Sequence, residues 1–283
     1  MGDLPSGGDL GALRAELTRI GPLVVAFSGG ADSAFLAWVA TDTLGPGSVR
    51  CVTAVSPSLA PEELADCRLL ASEWGLRFDE VETDELADPA YSANDGSRCF
   101  HCKTSLMEAL GPIAAGDATD DGRSDPATVV LGVNLDDLGD HRPGQQAALE
   151  YGARFPLVTA GFTKSDVRAW SRRLGLRTWD KPAAACLASR VPYGTPVTLG
   201  TLQSVTRAES GLRSLGFRQV RVRHYGDTAR IEVPPADLAD VVACREQVTR
   251  VVHEAGYRYV TLDLDGFRSG NLNDALTTGR SAR

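Results

Sequence analysis

The chain has no apolar run approaching the roughly 20 residues that span a bilayer, so a helical membrane protein is not expected. Its first residues, Met1 to Asp9, are glycine-rich and carry neither a basic stretch nor an apolar one. No secretion signal is therefore read there, and a cytoplasmic location is the expectation. Positive charge is also in deficit: 29 Lys and Arg face 37 Asp and Glu, a net of −8, with no basic stripe. Such a surface does not gather polyanions, so nucleic acid is not an expected partner. Internal repeats are absent too, which removes solenoids and propellers. What is present is ordinary for a globular protein, 43% hydrophobic and 23% charged over 283 residues, and disordered and fibrous classes fall away. Six cysteines in a chain read as cytoplasmic suggest buried, metal-binding or catalytic thiols rather than disulfides.

From residue 21 to about 180, short β-branched runs alternate with amphipathic stretches, the pattern of an α/β fold whose parallel sheet is covered on both faces. The strand candidates are Leu23 to Phe27, Val49 to Val55, Phe78 to Thr83 and Val129 to Val133. Helices are expected near Ser33 to Leu44, Pro61 to Trp74, Thr104 to Leu110 and Thr163 to Leu174. The acidic, turn-rich stretch Gly116 to Ala127 reads as a solvated loop without chemistry. Past Pro196 the rhythm changes to a helix near Leu199 to Leu215, strands Gln219 to His224 and Ala229 to Val233, a helix near Pro235 to Ala255 and a strand Tyr259 to Leu264. Two domains are expected, a parallel-sheet domain over 1–195 and a small α+β domain over 196–283.

In such sheets, ligands bind beyond the carboxyl ends of the strands. There the chain reads Ser28-Gly29-Gly30-Ala31-Asp32-Ser33 between an apolar strand and an apolar helix. Adjacent glycines allow close approach of an anion, and the helix start adds oriented N–H donors. The hydroxyls of Ser28 and Ser33 can donate to phosphate oxygens. Asp32 would repel phosphate unless a divalent cation lay between them, which points to magnesium. The alternative is a plain turn in which Asp32 or Ser33 caps the helix. The loop lacks the lysine that follows the second glycine of GxxxxGK[ST], so it is not a Walker A loop. It resembles the PP-loop of the N-type ATP pyrophosphatases, which implies adenylation with release of pyrophosphate rather than γ-phosphoryl transfer. A second segment, Gly132-Val133-Asn134-Leu135-Asp136-Asp137-Leu138-Gly139-Asp140, carries three carboxylates after a strand. Asp136 is the candidate for a second magnesium contact and Gly132 for the nucleotide site, against a solvated turn with Asp caps. Ser56, just past the second strand, is placed by topology to meet adenosine.

Cys51, Cys67 and Cys244 lie in strand or helix runs and read as buried small hydrophobes. Cys99 and Cys102 form a Cys-x-x-Cys pair beside His101, which could be half of a zinc site, although no second close pair completes it. Cys186 stands between Lys181 and Arg190, cations that would favour its thiolate as a nucleophile toward an acyl-adenylate. A packed loop cysteine is the plainer reading.

Taken in order, the PP-loop, Arg98-Cys99-x-x-Cys102-Lys103, the run from Gly132 to Gly144, and Lys181-Pro182-x-x-x-Cys186-Leu187-x-Ser189-Arg190-x-Pro192-Tyr193-Gly194 resemble the LarE family over about residues 20–198. That resemblance implies an ATP-dependent sulfur transferase that makes the organic part of the nickel-pincer cofactor of lactate racemase. It implies adenylation of a pyridinium biscarboxylate mononucleotide, attack by Cys186 and loss of AMP. Sulfur would come either from Cys186 itself, leaving dehydroalanine, or from a four-iron four-sulfur cluster on Cys99, Cys102 and Cys186; the Cys-x-x-Cys pair favours the cluster. It also implies a homo-oligomer, and a phosphate- and metal-binding surface drawn from Glu209, Arg221, Arg223, Glu232, Asp240 and Arg268, with Arg268 best placed between its glycines; surface salt bridges are the alternative for these charges. The competing readings are a tRNA thiolase with a three-cysteine cluster, an amidating PP-loop enzyme, and a nucleotide-binding regulator without chemistry. The net negative charge disfavours the first, Cys186 has no use in the second, and retention of Asp32, Asp136 and Cys186 disfavours the third.

Overall fold

The structure is a computed structural model that describes residues 7–116, 126–139, 143–182 and 185–267. The chain forms two compact units, Met1–Glu85 with Cys99–Ala184, and Leu86–Arg98 with Ala185–Arg283.

The first unit is α/β. It opens with α1 (Leu10–Ile20), capped by the Asp9 carboxylate on the Gly11 N–H, a helix outside the expected set. Then follow β1 (Leu23–Ala26), α2 (Ala31–Leu44), β2 (Val49–Val55), α3 (Pro61–Trp74) and β3 (Phe78–Glu82). After a short helix α4 (Pro89–Ser92) that belongs to the second unit, the chain continues as α5 (Arg98–Ala115), β4 (Thr128–Leu131), α6 (Pro143–Glu150), α7 (Pro156–Thr159) and α8 (Lys164–Arg173). The four strands pair in the order β3-β2-β1-β4, all parallel. Leu23, Val24 and Val25 of β1 are all buried, because helices cover both faces of a parallel sheet and leave no polar side. α2 is apolar nearly all round and packs its Ala34 to Ala37 run into the core with Leu13 and Leu17 of α1. α8 begins with a capping box between Thr163 and Asp166, which satisfies two end donors reciprocally. Of the acidic loop expected over 116–127, residues 117–125 lie outside the described residues.

The second unit holds a three-stranded sheet of β5 (Arg221–Tyr225), β6 (Thr228–Glu232) and β7 (Tyr259–Leu262), with β5 antiparallel and β7 parallel to β6. Helices α9 (Leu199–Ser214), α10 (Leu238–Ala243) and α11 (Arg245–Glu254) accompany it. Val222, Ala229, Ile231, Val260 and Leu262 point to the helices and form the core with Leu212, Val248 and Val252. Strand alternation turns Arg221, Arg223, Arg230 and Glu232 to the opposite face. A single helix expected over Pro235 to Ala255 is broken at Cys244, which ends α10 and precedes α11. Cys244 is half-buried there, not the buried helical residue expected.

The domain boundary also differs from the one expected after residue 195. Residues 185–195 and the excursion 86–98 both fold with the C-terminal sheet. Their polar groups find partners there: the Asn94 amide donates to the carbonyls of Pro192 (2.9 Å) and Thr195 (2.7 Å), and Arg223 donates to Ser189 O at 2.7 Å. Cys186 is thus a residue of the second unit, whereas Cys99 and Cys102 open α5 in the first.

Candidate active site

The turn after β1 is built for close approach. Gly29 has φ +65, and a Cβ there would stand 2.9 Å from Cys67 Sγ on α3, so this position requires glycine on both counts. Gly30, at φ −71, is the N-cap of α2 and offers no side-chain cap to the helix, leaving the first N–H groups of α2 available to an anion. Ser33 Oγ lies 3.1 Å from Ser28 Oγ, 3.3 Å from the Ser28 nitrogen and 3.2 Å from Gly30 O. These bonds hold the loop curled around its own hydroxyls. Beneath it, burial raises the pKa of Cys67, outweighing its hydrogen bond with Thr53, and burial pushes Cys51 up to about 12. Both are inert packing thiols, as expected.

Asp32 lies in the first turn of α2 and accepts a 3.1 Å hydrogen bond from the Asn134 amide. Burial raises its pKa, with a further push from Asp137, against the pull of Lys164, Asn134 and Arg168. A half-buried carboxylate pushed by another is a place where a divalent cation would relieve both. Asp136, the expected magnesium contact, instead accepts from the Lys164 backbone N–H at 2.7 Å and so caps α8. Asp137 is the neighbour of Asp32, buried and accepting from the Asn134 N–H. Gly132 does not need conformational freedom; a Cβ there would stand 2.7 Å from the Ser33 nitrogen. Its bare backbone lets β4 lie against the start of α2. Ser56 donates to Glu85 Oε1 at 2.6 Å and accepts from Ser58 N–H, so its hydroxyl is held by a buried carboxylate at the end of β2. Asp140 and Arg142 lie outside the described residues.

Cys186 is exposed and stands at the N-cap of a 3₁₀ turn, Leu187–Arg190. The two cations expected to favour its thiolate are both committed to carboxylates. Lys181 Nζ is 2.8 Å from Glu63 and 2.6 Å from Asp66 on α3. Arg190 makes a two-pronged pair with buried Glu209, at 2.8 and 3.1 Å. Its remaining nitrogen, Nη1, donates to Ala185 O (2.7 Å), Cys186 O (3.3 Å) and Ser189 Oγ (3.1 Å). Arg190 therefore orients the backbone that carries the thiol. Glu209 also takes Arg213 and the Val222 N–H, and Arg223 forks onto Glu232. Glu209 and Glu232 are fully buried, so these are not the surface salt bridges given as the alternative. Arg221 stacks 4.2 Å over the Phe267 ring. Burial, then repulsion from Arg190 and Arg223, pushes its pKa down to about 10. Asp240 is exposed on α10, and Arg268 lies outside the described residues. Cys99 is exposed and Cys102 half-buried on the first turn of α5, three apart and so on one face. Among the described residues, no three His, Cys, Asp or Glu side chains gather as a metal-holding group.

No family model matches the chain. An uncharacterized protein of a Synechocystis strain is 45% identical over 94% of this chain and 97% of its own length. The pyridinium-3,5-bisthiocarboxylic acid mononucleotide synthase of Lactiplantibacillus plantarum is 40% identical over 95% of both chains. The chain belongs to the LarE family. An NH(3)-dependent NAD(+) synthetase of Chlorobium phaeobacteroides is 32% identical over 90 residues, 31% of this chain and 32% of its own. That partial match supports a PP-loop superfamily fold for the LarE chain.

Sequence reasoning missed the structural parts played by four residues of this LarE chain. Asn134 and Asp137 stood inside the quoted motif, but only the fold turns them, and not Asp136, toward Asp32. Glu85 was hidden in an acidic stretch, and its burial at 3% exposure is a tertiary fact with no local signal. Arg98 was quoted for its place beside Cys99, yet its guanidinium donates to Ala188 O at 2.9 Å.

Proposed function

We propose that this enzyme is an ATP-dependent sulfur transferase that adenylates a carboxylate of a pyridinium-3,5-biscarboxylic acid mononucleotide and converts it to a thiocarboxylate for nickel-pincer cofactor biosynthesis. The single observation that carries the reading is the 40% identity to the named synthase over 95% of both chains; the glycine turn, which leaves the first N–H groups of α2 open to phosphate, supports it. In this reading Ser28, Gly29, Gly30 and Ser33 hold pyrophosphate, Ser56 and Gly132 border the nucleotide, and Asp32 holds magnesium with Asp137 in support; Asp136 serves by shaping the turn. The substrate carboxylate attacks the α-phosphorus, pyrophosphate leaves, and the acyl carbon becomes electrophilic. A sulfur nucleophile, the Cys186 thiolate in the sacrificial route or sulfide in the cluster route, then forms a C–S bond as the C–O bond to AMP breaks, AMP leaving with the electron pair. Arg221, which makes no hydrogen bond to a carboxylate among the described residues, is suited to the substrate phosphate, with Arg268 as a second candidate.

Two sources of the transferred sulfur remain chemically open to the chain. In the sacrificial route, loss of the Cα proton and cleavage of the Cβ–S bond of Cys186 leave dehydroalanine and the thiocarboxylate. In the cluster route, which the paired cysteines favour, Cys99, Cys102 and Cys186 supply the soft thiolates that a four-iron four-sulfur cluster takes. When bound, such a cluster would supply an exchangeable sulfide. A cytoplasmic homo-oligomer without membrane attachment, and without a nucleic-acid partner, belongs to the same proposal.

Anaerobic purification with iron and sulfide analysis, then mass spectrometry after one turnover, separates the two routes. Iron with acid-labile sulfide and an intact Cys186 is expected. An iron-free protein, prepared anaerobically, whose Cys186 loses the mass of hydrogen sulfide during turnover would contradict the cluster and establish sacrifice.

A further inference from the structure

Four of the five carbonyls from Ala185 to Ser189 are held by guanidinium groups. Arg190 takes Ala185 O and Cys186 O, Arg98 takes Ala188 O at 2.9 Å, and Arg223 takes Ser189 O at 2.7 Å. Arg190 and Arg223 are fixed by buried Glu209 and Glu232. Arg98 is fixed differently. It is buried, at 4% exposure, and its Nη1 also donates to the side-chain oxygen of Asn94.

Asn94 is fully buried and has φ +56, the one positive φ outside glycine among the described residues. Asparagine is among the few residues that enter this region at modest cost. The left-handed turn aims its amide so that Nδ2 donates to Val191 O (3.4 Å), Pro192 O (2.9 Å) and Thr195 O (2.7 Å). Its own carbonyl accepts from Gly194 N–H at 3.0 Å. The segment that follows Cys186 has only one 3₁₀ turn of regular structure before α9. It takes its shape from these side-chain bonds.

We propose that Asn94 and Arg98 are positioning residues for the sulfur step: through the carbonyls of residues 188–195 they fix the segment that presents Cys186 to the adenylated substrate. This rests on the role given to Cys186 above. The bonds described here all stay within the second unit, and the proposed function gives adenylation to residues of the first. A thiol displaced by about an ångström from its line of attack on the acyl carbon loses about 100-fold in rate, so the cost falls on the step that makes the C–S bond.

The test uses the full-length protein, ATP, magnesium and the pyridinium biscarboxylate mononucleotide in single turnover, following pyrophosphate and AMP separately. Asn94→Gly keeps the positive φ without strain and removes all three amide bonds. Asn94→Asp keeps shape and backbone while facing carbonyls with a carboxylate. Arg98→Ala removes the bond to Ala188 O. Each is expected to slow AMP release about tenfold or more while pyrophosphate release stays within about twofold, and Arg98→Lys is expected to recover part of the loss. Hydrogen exchange at the Ser189 and Val191 amides, which donate to Cys186 O and Ala188 O, is expected to quicken in the Gly and Ala variants. AMP release within about twofold of wild type, an equal fall of both products, or unchanged exchange overturns the proposal. If the wild-type protein releases neither product, the function proposed above fails, and the exchange measurement still decides the positioning.

Discussion

Asp32 sits half-buried at a helix start, where burial and the charge of Asp137 both raise its pKa. In the proposed function that place belongs to a divalent cation carried in with ATP. Asp32→Asn is therefore expected to fold normally and to lower pyrophosphate release by about 100-fold, measured at saturating ATP and magnesium; a loss within about threefold would remove the magnesium role. Cys186→Ser is expected to keep pyrophosphate release and form no thiocarboxylate, read by mass spectrometry of the product. Gly132→Ala tests packing. The added methyl meets the Ser33 backbone, and the expected cost is about 1–3 kcal/mol of stability by denaturant titration, with weaker ATP binding. The glycines and Ser28, Asp32 and Ser33 were legible because their residue types answer a local chemical need at fixed spacing. Asp136 and Asp137 were not separable in sequence, since adjacent carboxylates differ only in which way the 3₁₀ turn of Leu135–Gly139 points them.

At the scale of elements, α3 joins two parts of the first unit. It places Cys67 under Gly29 and offers Glu63 and Asp66 to Lys181, and Asp66 and Glu73 to Arg177. Burial pushes the Asp66 pKa up, yet hydrogen bonds from Lys181 and Arg177 win and hold it below the ordinary carboxylate value. For Lys181, burial pushes down, and the bonds it donates to Asp66 and Glu63 raise it above its ordinary value. The sign follows for each. Asp66 contributes stability above its unfolded pKa of about 3.9, lost as pH falls through the lower folded value. Lys181 contributes below its unfolded pKa of about 10.4, lost as pH rises through the higher folded one. The difference in melting temperature between wild type and Asp66→Asn is expected to be constant from about pH 5 to pH 9 and to shrink below about pH 4. A difference that grows toward acid would contradict the assignment. The strands and α2, α3, α8 and α9 were legible through periodicity and caps. The opening turn of α5 was not, because Arg98, His101 and Lys103 interrupt its apolar residues; a Cβ on Gly144 would stand 2.8 Å from Cys99 O, a tertiary contact.

For the whole molecule, the fold class and family were readable because two of the motifs, Ser28–Ser33 and the run from Gly132, stand at the ends of β1 and β4, where a parallel sheet gathers its ligands. The division of the chain was not readable at 195/196. Which unit owns residues 185–195 depends on Asn94, Arg98 and Arg223, and no composition shift marks such side-chain bonds. The charge reading carries a consequence at the same scale: with a net of −8, addition of tRNA is expected to leave ATP turnover unchanged. The most direct measurement of the central claim is a single anaerobic turnover with ATP, magnesium and the pyridinium biscarboxylate mononucleotide, quantifying pyrophosphate, AMP and thiocarboxylate together. Equal amounts of all three are predicted; AMP and pyrophosphate without thiocarboxylate, or their release only when tRNA replaces the mononucleotide, would contradict it.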